Sequence, residues 1–235
     1  MTVDEIMADL QAHGNEGIKK ILLNHGVKEP FFGVKIEHLK TIQKRVKKDY
    51  PLAKDLYATG NADAMYLAGL ITDDSKMTKA DLQTWAEQAL SANINEYTVP
   101  WVAAESNFGF EMGLEWINSD KGHVAAAGWS TLGNLAALKP DSELNLATYR
   151  TLLQRVIDNI HTSANRTKAR MNIFVMNVGC YILPLVDEAI VAANKIGPVY
   201  VDTSGTACKI PDAITYIDKV KARGSLGKKK KTVKC

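Results

Sequence analysis

The chain has 235 residues, 46% hydrophobic and 23% charged, with 16 glycines and 7 prolines, proportions that exclude a collagen-like or mainly disordered polymer and fit one domain better than two. No apolar run approaches the ~20 residues a bilayer span needs, the acidic start Met1-Thr2-Val3-Asp4-Glu5 lacks the basic-then-apolar layout of a secretory signal, and three scattered cysteines, Cys180, Cys208 and Cys235, offer neither a disulfide framework nor a zinc-binding pair, so a reducing, cytoplasmic setting is expected. The net charge of +3 conceals an asymmetry: of 29 basic residues eight lie from Lys219 onward, where no acid occurs, leaving 21 against 26 acids, a net of −5, in the rest.

In chain order the sequence reads as helices. Thr2 and Glu5 make a capping box ahead of Ile6 and Leu10. Ile18, Ile21, Leu22 and His25 form a second stripe that Gly26 ends. Ile36, Leu39, Ile42, Gln43 and Val46 mark a third amphipathic helix, with Lys40, Lys44, Lys47 and Lys48 on its wet side. Pro51 opens a short helix stopped by Gly60, Asn61 caps the next, and Thr78 with Asp81 starts another through Leu82, Trp85, Ala86 and Ala89. Helical patterns then run over 96–106, 110–117, 122–138, 146–161, 164–183 and 185–196, with Pro100 in an opening turn. A last helix spans 211–222, with Pro211 at its first position and Asp212 at its positive end. Val199–Val201 is the one extended stretch, too short for a sheet. This pattern predicts an all-α protein. A helical bundle and a HEAT-like solenoid of stacked helix pairs both fit, and a solenoid's concave face suits duplex DNA or a peptide.

The segment Phe31-Phe32-Gly33-Val34-Lys35-Ile36-Glu37-His38-Leu39-Lys40-Thr41-Ile42 resembles the N-terminal signature of the AlkD-like DNA alkylation repair family. Leu56-Tyr57, Ala64-Met65-Tyr66-Leu67-Ala68 and Asn177-Val178-Gly179-Cys180-Tyr181-Ile182 are similar to its later helices, in the same order. The resemblance implies HEAT-like helix pairs stacked into a curved α-solenoid over residues 1–224, followed by a basic tail, 225–235, free to be flexible. It further implies that the chain cups double-stranded DNA and uses neither metal nor organic cofactor; a monomer that touches no membrane is expected. Active members of that family release N3- and N7-alkylated purines. Such a base is already cationic and leaves readily, so the protein has only to stabilise a cationic sugar, for which a carboxylate and aromatic faces serve. Laid on the family, Pro100 falls at its catalytic aspartate, Glu96 at the tryptophan before it, Gly128 at a DNA-contacting arginine, Cys180 at a late tryptophan and Ile21 at an early tyrosine. None of the family's site residues carries over.

Candidate residues therefore rest on this chain's own patterns. Tyr97, Trp101 and Glu105 are four apart, which puts two rings and a carboxylate near one helix face. Glu105 and Trp101 are the catalytic candidates, and Tyr97, Trp129 and Tyr181 the candidate aromatic pocket. For each ring, core packing is the competing reading. Arg166 and Arg170, with Asn177, make a polar strip suited to phosphate or base contacts, or else to ion pairs with Asp158 or Glu188. Lys209, beside Ser204, Gly205, Thr206 and Cys208, belongs to a loop that could hold an anion, and the thiol next to a lysine could be reactive. Lys228, Lys229, Lys230 and Lys231 attract polyanions, or simply solubilise the chain. His13, His25, His38, His123 and His161 show no His-x-x-x-His or Glu-x-x-His pair and read as structural or exposed. Two functions stay open: an alkylpurine DNA glycosylase with a divergent pocket, or a non-catalytic helical scaffold that binds DNA or another protein.

Overall fold

Capping residues set where the helices begin. In the computed structural model, which describes residues 1–203 and 209–235, Thr2 and Thr78 close capping boxes with Glu5 and Asp81, and Asn15, Asn61 and Asn145 accept first-turn N–H groups. The expectations placed on Ser204, Gly205, Thr206 and Cys208 lie outside the described residues. Thirteen α-helices follow among the described residues: α1 (Val3–Ala12), α2 (Glu16–Asn24), α3 (Ile36–Val46), α4 (Tyr50–Ala58), α5 (Ala62–Ile71), α6 (Lys79–Gln88), α7 (Val99–Glu105), α8 (Gly109–Trp116), α9 (Gly122–Leu138), α10 (Leu146–Asn159), α11 (Asn165–Tyr181), α12 (Val186–Ile196) and α13 (Ala213–Ala222).

From α4 on, consecutive helices pack in pairs: α4 with α5, α6 with α7, α8 with α9, α10 with α11 and α12 with α13. The odd-numbered members also pack on one another in turn, from α5 to α13, and form one layer of a curved helix-pair solenoid. Their sequences match that position. Helix α5 is buried along its whole length and α9 nearly so, as expected of helices apolar on every side; α11 is mostly buried although its first half carries Arg166, Lys168, Arg170 and Asn172. By contrast α3 and α10 bury one stripe each, Leu39 and Ile42 in the first, Tyr149, Leu152, Leu153 and Val156 in the second.

Four local expectations change. Helix α2 buries none of its residues, and Ile21 is 53% exposed. The core space goes instead to Val27, Phe31 and Val34 in the segment that follows. The Asp63 carboxylate fixes that segment by accepting the backbone N–H groups of Phe32, Gly33 and Val34. Burial pushes the Asp63 carboxyl above its usual range, while those three amides pull it back. Region 96–106 is not one helix: a wide π-turn, Ile94–Thr98, runs into α7, and Pro100 lies in its first turn. Helix α11 stops at Tyr181, because Leu183–Leu185 forms a separate short turn. Pro211 precedes the N-cap of α13, which is Asp212, hydrogen-bonded to the Thr215 N–H at 2.8 Å.

The basic tail lies along the body. Gly227 N–H donates to the Cys180 carbonyl and Lys230 N–H to that of Ala137, both at 2.8 Å. Lys229 meets Asp141 and the Ala136 carbonyl. Near the end, Lys234 forms a 2.7 Å ion pair with Asp74, their side chains only 12% and 6% exposed. Val233 packs against both halves of the hydrophobic core.

Candidate nucleic-acid interface

Two long helices of the buried layer begin side by side. The N-cap of α9 is Lys121 and that of α11 is Ala164, and neither supplies a side-chain cap. Thr167 Oγ1 donates to the Gly122 carbonyl across the pair, and a Cβ on Gly122 would sit 3.5 Å from that of Ala164. Their first-turn residues line a 660 Å³ cleft with His25, Lys28, Tyr97, Arg166, Arg170 and Lys209. Asp202 is the one acid among the described residues lining it. Uncapped helix starts carry positive partial charge, so dipoles and side chains make the same sign of field here.

Behind the cleft sits Glu96, with a fully buried side chain. The π-turn turns its carboxylate toward α11, where Arg166 holds it in a two-pronged pair, Nε to Oε1 and Nη2 to Oε2, and Arg170 Nη2 reaches Oε2 at 2.9 Å. The Arg170 guanidinium also lies over the Tyr97 ring, 5.2 Å from its centroid. One buried anion thus meets two cations, and the cluster carries a net positive charge toward the opening. Asn165 fastens the start of the α12–α13 connection by two hydrogen bonds with the Asp202 backbone, and Asn172 fastens its end at the Pro211 carbonyl.

The structure brings Tyr97, Arg166, Arg170 and Lys209 together and leaves the other candidates elsewhere. Trp101 is buried between Tyr66, edge-on at 5.4 Å, and Tyr97 at 6.2 Å. Glu105, at the end of α7, accepts the Thr232 hydroxyl and the Val233 N–H, so its carboxylate holds the tail and does not join the two rings in one cation-binding face. Trp129 is core: it packs edge-on against Phe174 at 5.1 Å with Arg155 over its ring. Tyr181 and Asn177 stand at the far end of α11. Lys230 covers the Tyr181 ring at 5.6 Å, and Asn177 Nδ2 would be 2.8 Å from a Cβ on Gly133. Within the lysine run, Lys228 and Lys231 are exposed, whereas Lys229 is engaged.

Other expectations resolve by packing. Arg166 and Arg170 pair with Glu96, not with Asp158 or Glu188; Glu188 pairs with Arg150 at 2.9 Å. A Cβ on Gly128 would meet the Ile117 backbone nitrogen at 2.7 Å, so α9 lies too close to α8 for an arginine there. Burial pushes the Cys180 thiol up to about 11, the behaviour of an inert core cysteine. Glu96, Lys28 and His123 were not legible as site residues. Glu96 finds its partners 70 positions away, and no local spacing announces them.

A model of the family described as DNA alkylation repair enzyme matches residues 6–217. An uncharacterized protein of Listeria monocytogenes is 32% identical over 229 residues, 95% of this chain and 99% of that protein. One of Listeria innocua, also uncharacterized, is 31% identical over the same lengths. Among solved structures, a protein described as belonging to a new family related to the HEAT-like repeat DNA glycosylases, with affinity for branched DNA structures, superposes with a TM-score of 0.92 at 36% identity, covering 100% of both chains. No single helix among the described residues is long and apolar enough to cross a membrane.

Proposed function

Because the chain belongs to the DNA alkylation repair enzyme family, we propose that it is a DNA-binding member of it that grips phosphates in this cleft and does not excise bases. The observation that carries the reading is the Arg170 guanidinium over one face of Tyr97, the tyrosine that lines the cleft, so that a cationic alkylated purine stacking on this ring would meet a cation already in place. The Glu96 carboxylate, which could have stabilised a cationic sugar, is buried and already neutralised by two arginines. A positively charged base entering here meets like charge, whereas a phosphate meets Arg166, Lys28, Lys209 and two helix starts. The resemblance to a protein with affinity for branched DNA favours junctions over plain duplex as the target.

The test is a gel-shift salt titration with a four-way junction and a linear duplex of the same sequence. Junction binding is expected to be tighter. Lys28→Ala/Lys209→Ala removes two exposed cations and should lower the salt slope by about 0.9 for each phosphate that is no longer neutralised. Equal affinity for both DNAs, or an unchanged slope in the variant, would refute this assignment.

A further inference from the structure

Two helices at the N-terminal end bring three metal-capable side chains to one point. Asp9 and His13 are four apart, the first on α1 and the second at its C-cap, and His38 stands in the first turn of α3. His13 Nδ1 lies 2.8 Å from Asp9 Oδ1, and His38 Nε2 lies 2.9 Å from the same oxygen. All three ligand atoms fall within 4.8 Å of one another. The two imidazole rings stack at 3.7 Å; His38 Nε2 is hydrogen-bonded to the carboxylate, whereas His13 Nδ1 also lies 2.8 Å from the Asp9 backbone carbonyl. Arg45 Nη1 stands 3.6 Å from the outer oxygen, Oδ2, which leaves Oδ1 to the histidines. A groove lined by His13, His38, Glu37 and Thr41 opens the cluster to solvent.

We propose that Asp9, His13 and His38 bind one zinc ion. Two neutral imidazoles and a carboxylate form a donor set suited to zinc, with water completing four-coordination through the open groove. Tetrahedral bonds of about 2.0–2.1 Å need ligand atoms roughly 3.3 Å apart, so to admit the ion the two rings turn out of their stack until their in-plane lone pairs converge, His13 Nδ1 leaves the Asp9 carbonyl, and the carboxylate draws back a few tenths of an ångström. His13 coordinates through Nδ1, which keeps its proton on Nε2. Arg45 steadies the carboxylate from behind, in the way outer partners orient ligands at zinc sites.

The position gives the ion a structural use. Residues 14–37, between the two histidines, carry α2, none of whose residues is fully buried. Joining His13 to His38 through zinc closes that loop and restricts its freedom, the effect expected of a metal clip. Zinc should therefore protect α2 specifically.

Calorimetric zinc titration of the full chain, after chelator treatment, tests this. The wild type should take up one ion, and His13→Ala and His38→Ala should each bind at least about tenfold more weakly. Zinc should slow hydrogen exchange in α2 of the wild type and not in the variants. The His13 ring is 52% exposed beyond the last turn of α1, so that variant keeps its core and decides the matter even if His38→Ala is unstable. Absence of zinc uptake would overturn the site, and so would uptake that survives both substitutions, which would locate the ion elsewhere, for instance at the exposed Cys235.

Discussion

Replacing Glu96 with leucine should destabilise the protein's polar centre. The carboxylate takes hydrogen bonds from Arg166 and an ion pair from Arg170 while wholly buried. Removing it leaves two guanidiniums without a counter-charge, and they are not equivalent. The Arg166 side chain is 43% exposed and can regain water; that of Arg170 is 8% exposed and cannot. The penalty therefore falls on Arg170, in the range of about 3–5 kcal/mol for breaking a buried pair from one side. At this chain length each kcal/mol moves the thermal midpoint by about 2–4 °C, so Glu96→Leu should melt roughly 6–20 °C lower by circular dichroism. The double variant Glu96→Leu/Arg170→Met removes both buried charges and should recover most of the loss, since exchanging a whole buried pair for apolar side chains is often neutral. A single variant within about 1 kcal/mol of wild type, or a double variant no better than the single, would refute the claim that Arg170 depends on Glu96.

Other perturbations separate the roles assigned to the remaining carboxylates. Glu105→Ala removes the acceptor for Thr232 and Val233, so trypsin should cut at Lys228, Lys229, Lys230 and Lys231 faster than in wild type, while 7-methylguanine release from methylated duplex stays at background in both proteins. Measurable release in wild type that Glu105→Ala abolishes would restore a catalytic role to that carboxylate. At Asp81, burial opposes ionisation, but hydrogen bonds from Lys54, Tyr50 and Thr78 outweigh it and hold the carboxyl below the usual range. A depressed folded value means the stabilisation is complete above the unfolded value, about 3.9, and fades as pH falls toward the folded one. The stability gap between wild type and Asp81→Asn in urea should accordingly be constant near neutrality and shrink below about pH 4; a gap that persists undiminished at about pH 2 would contradict the linkage.

What the sequence disclosed follows from the range of the interactions involved. Capping at Thr2, Asn61 and Thr78, and the bounds of α9 at Gly122 and Leu138, depend on residues within a turn or two of each other, and these were readable. The apolar stripe of α2 was equally readable, but periodicity reports that a face is apolar without reporting that something covers it. The functional geometry was mostly hidden because it is nonlocal. Glu96 with Arg166 spans 70 positions, Asp9 with His38 spans 29, and Glu105 with Thr232 spans 127. Tyr97, Trp101 and Glu105, spaced as for one helix face, are divided between the π-turn and α7. Their partners, not their spacing, decide what each does: Arg170 covers the first, Tyr66 packs on the second, and the tail engages the third.

The lysine-rich tail also takes on a physical meaning that its charge alone did not convey. The last carbonyls of a helix lack intrahelical partners and carry the negative end of its dipole. In α9 those of Ala136 and Ala137 receive Lys229 Nζ and the Lys230 N–H, and in α11 that of Cys180 receives the Gly227 N–H. The tail thus caps the negative ends of the same two helices whose positive ends open into the cleft. Left bare, such a layer would attract a polyanion at one end and repel it at the other, on a body whose residues before Lys219 sum to −5. With the tail docked, the carbonyl ends are satisfied, Asp141 and Asp74 are paired, and Lys228 and Lys231 face solvent beside them. The far ends of α9 and α11 then carry basic side chains beside capped carbonyls, in place of a bare negative pole that would repel a polyanion.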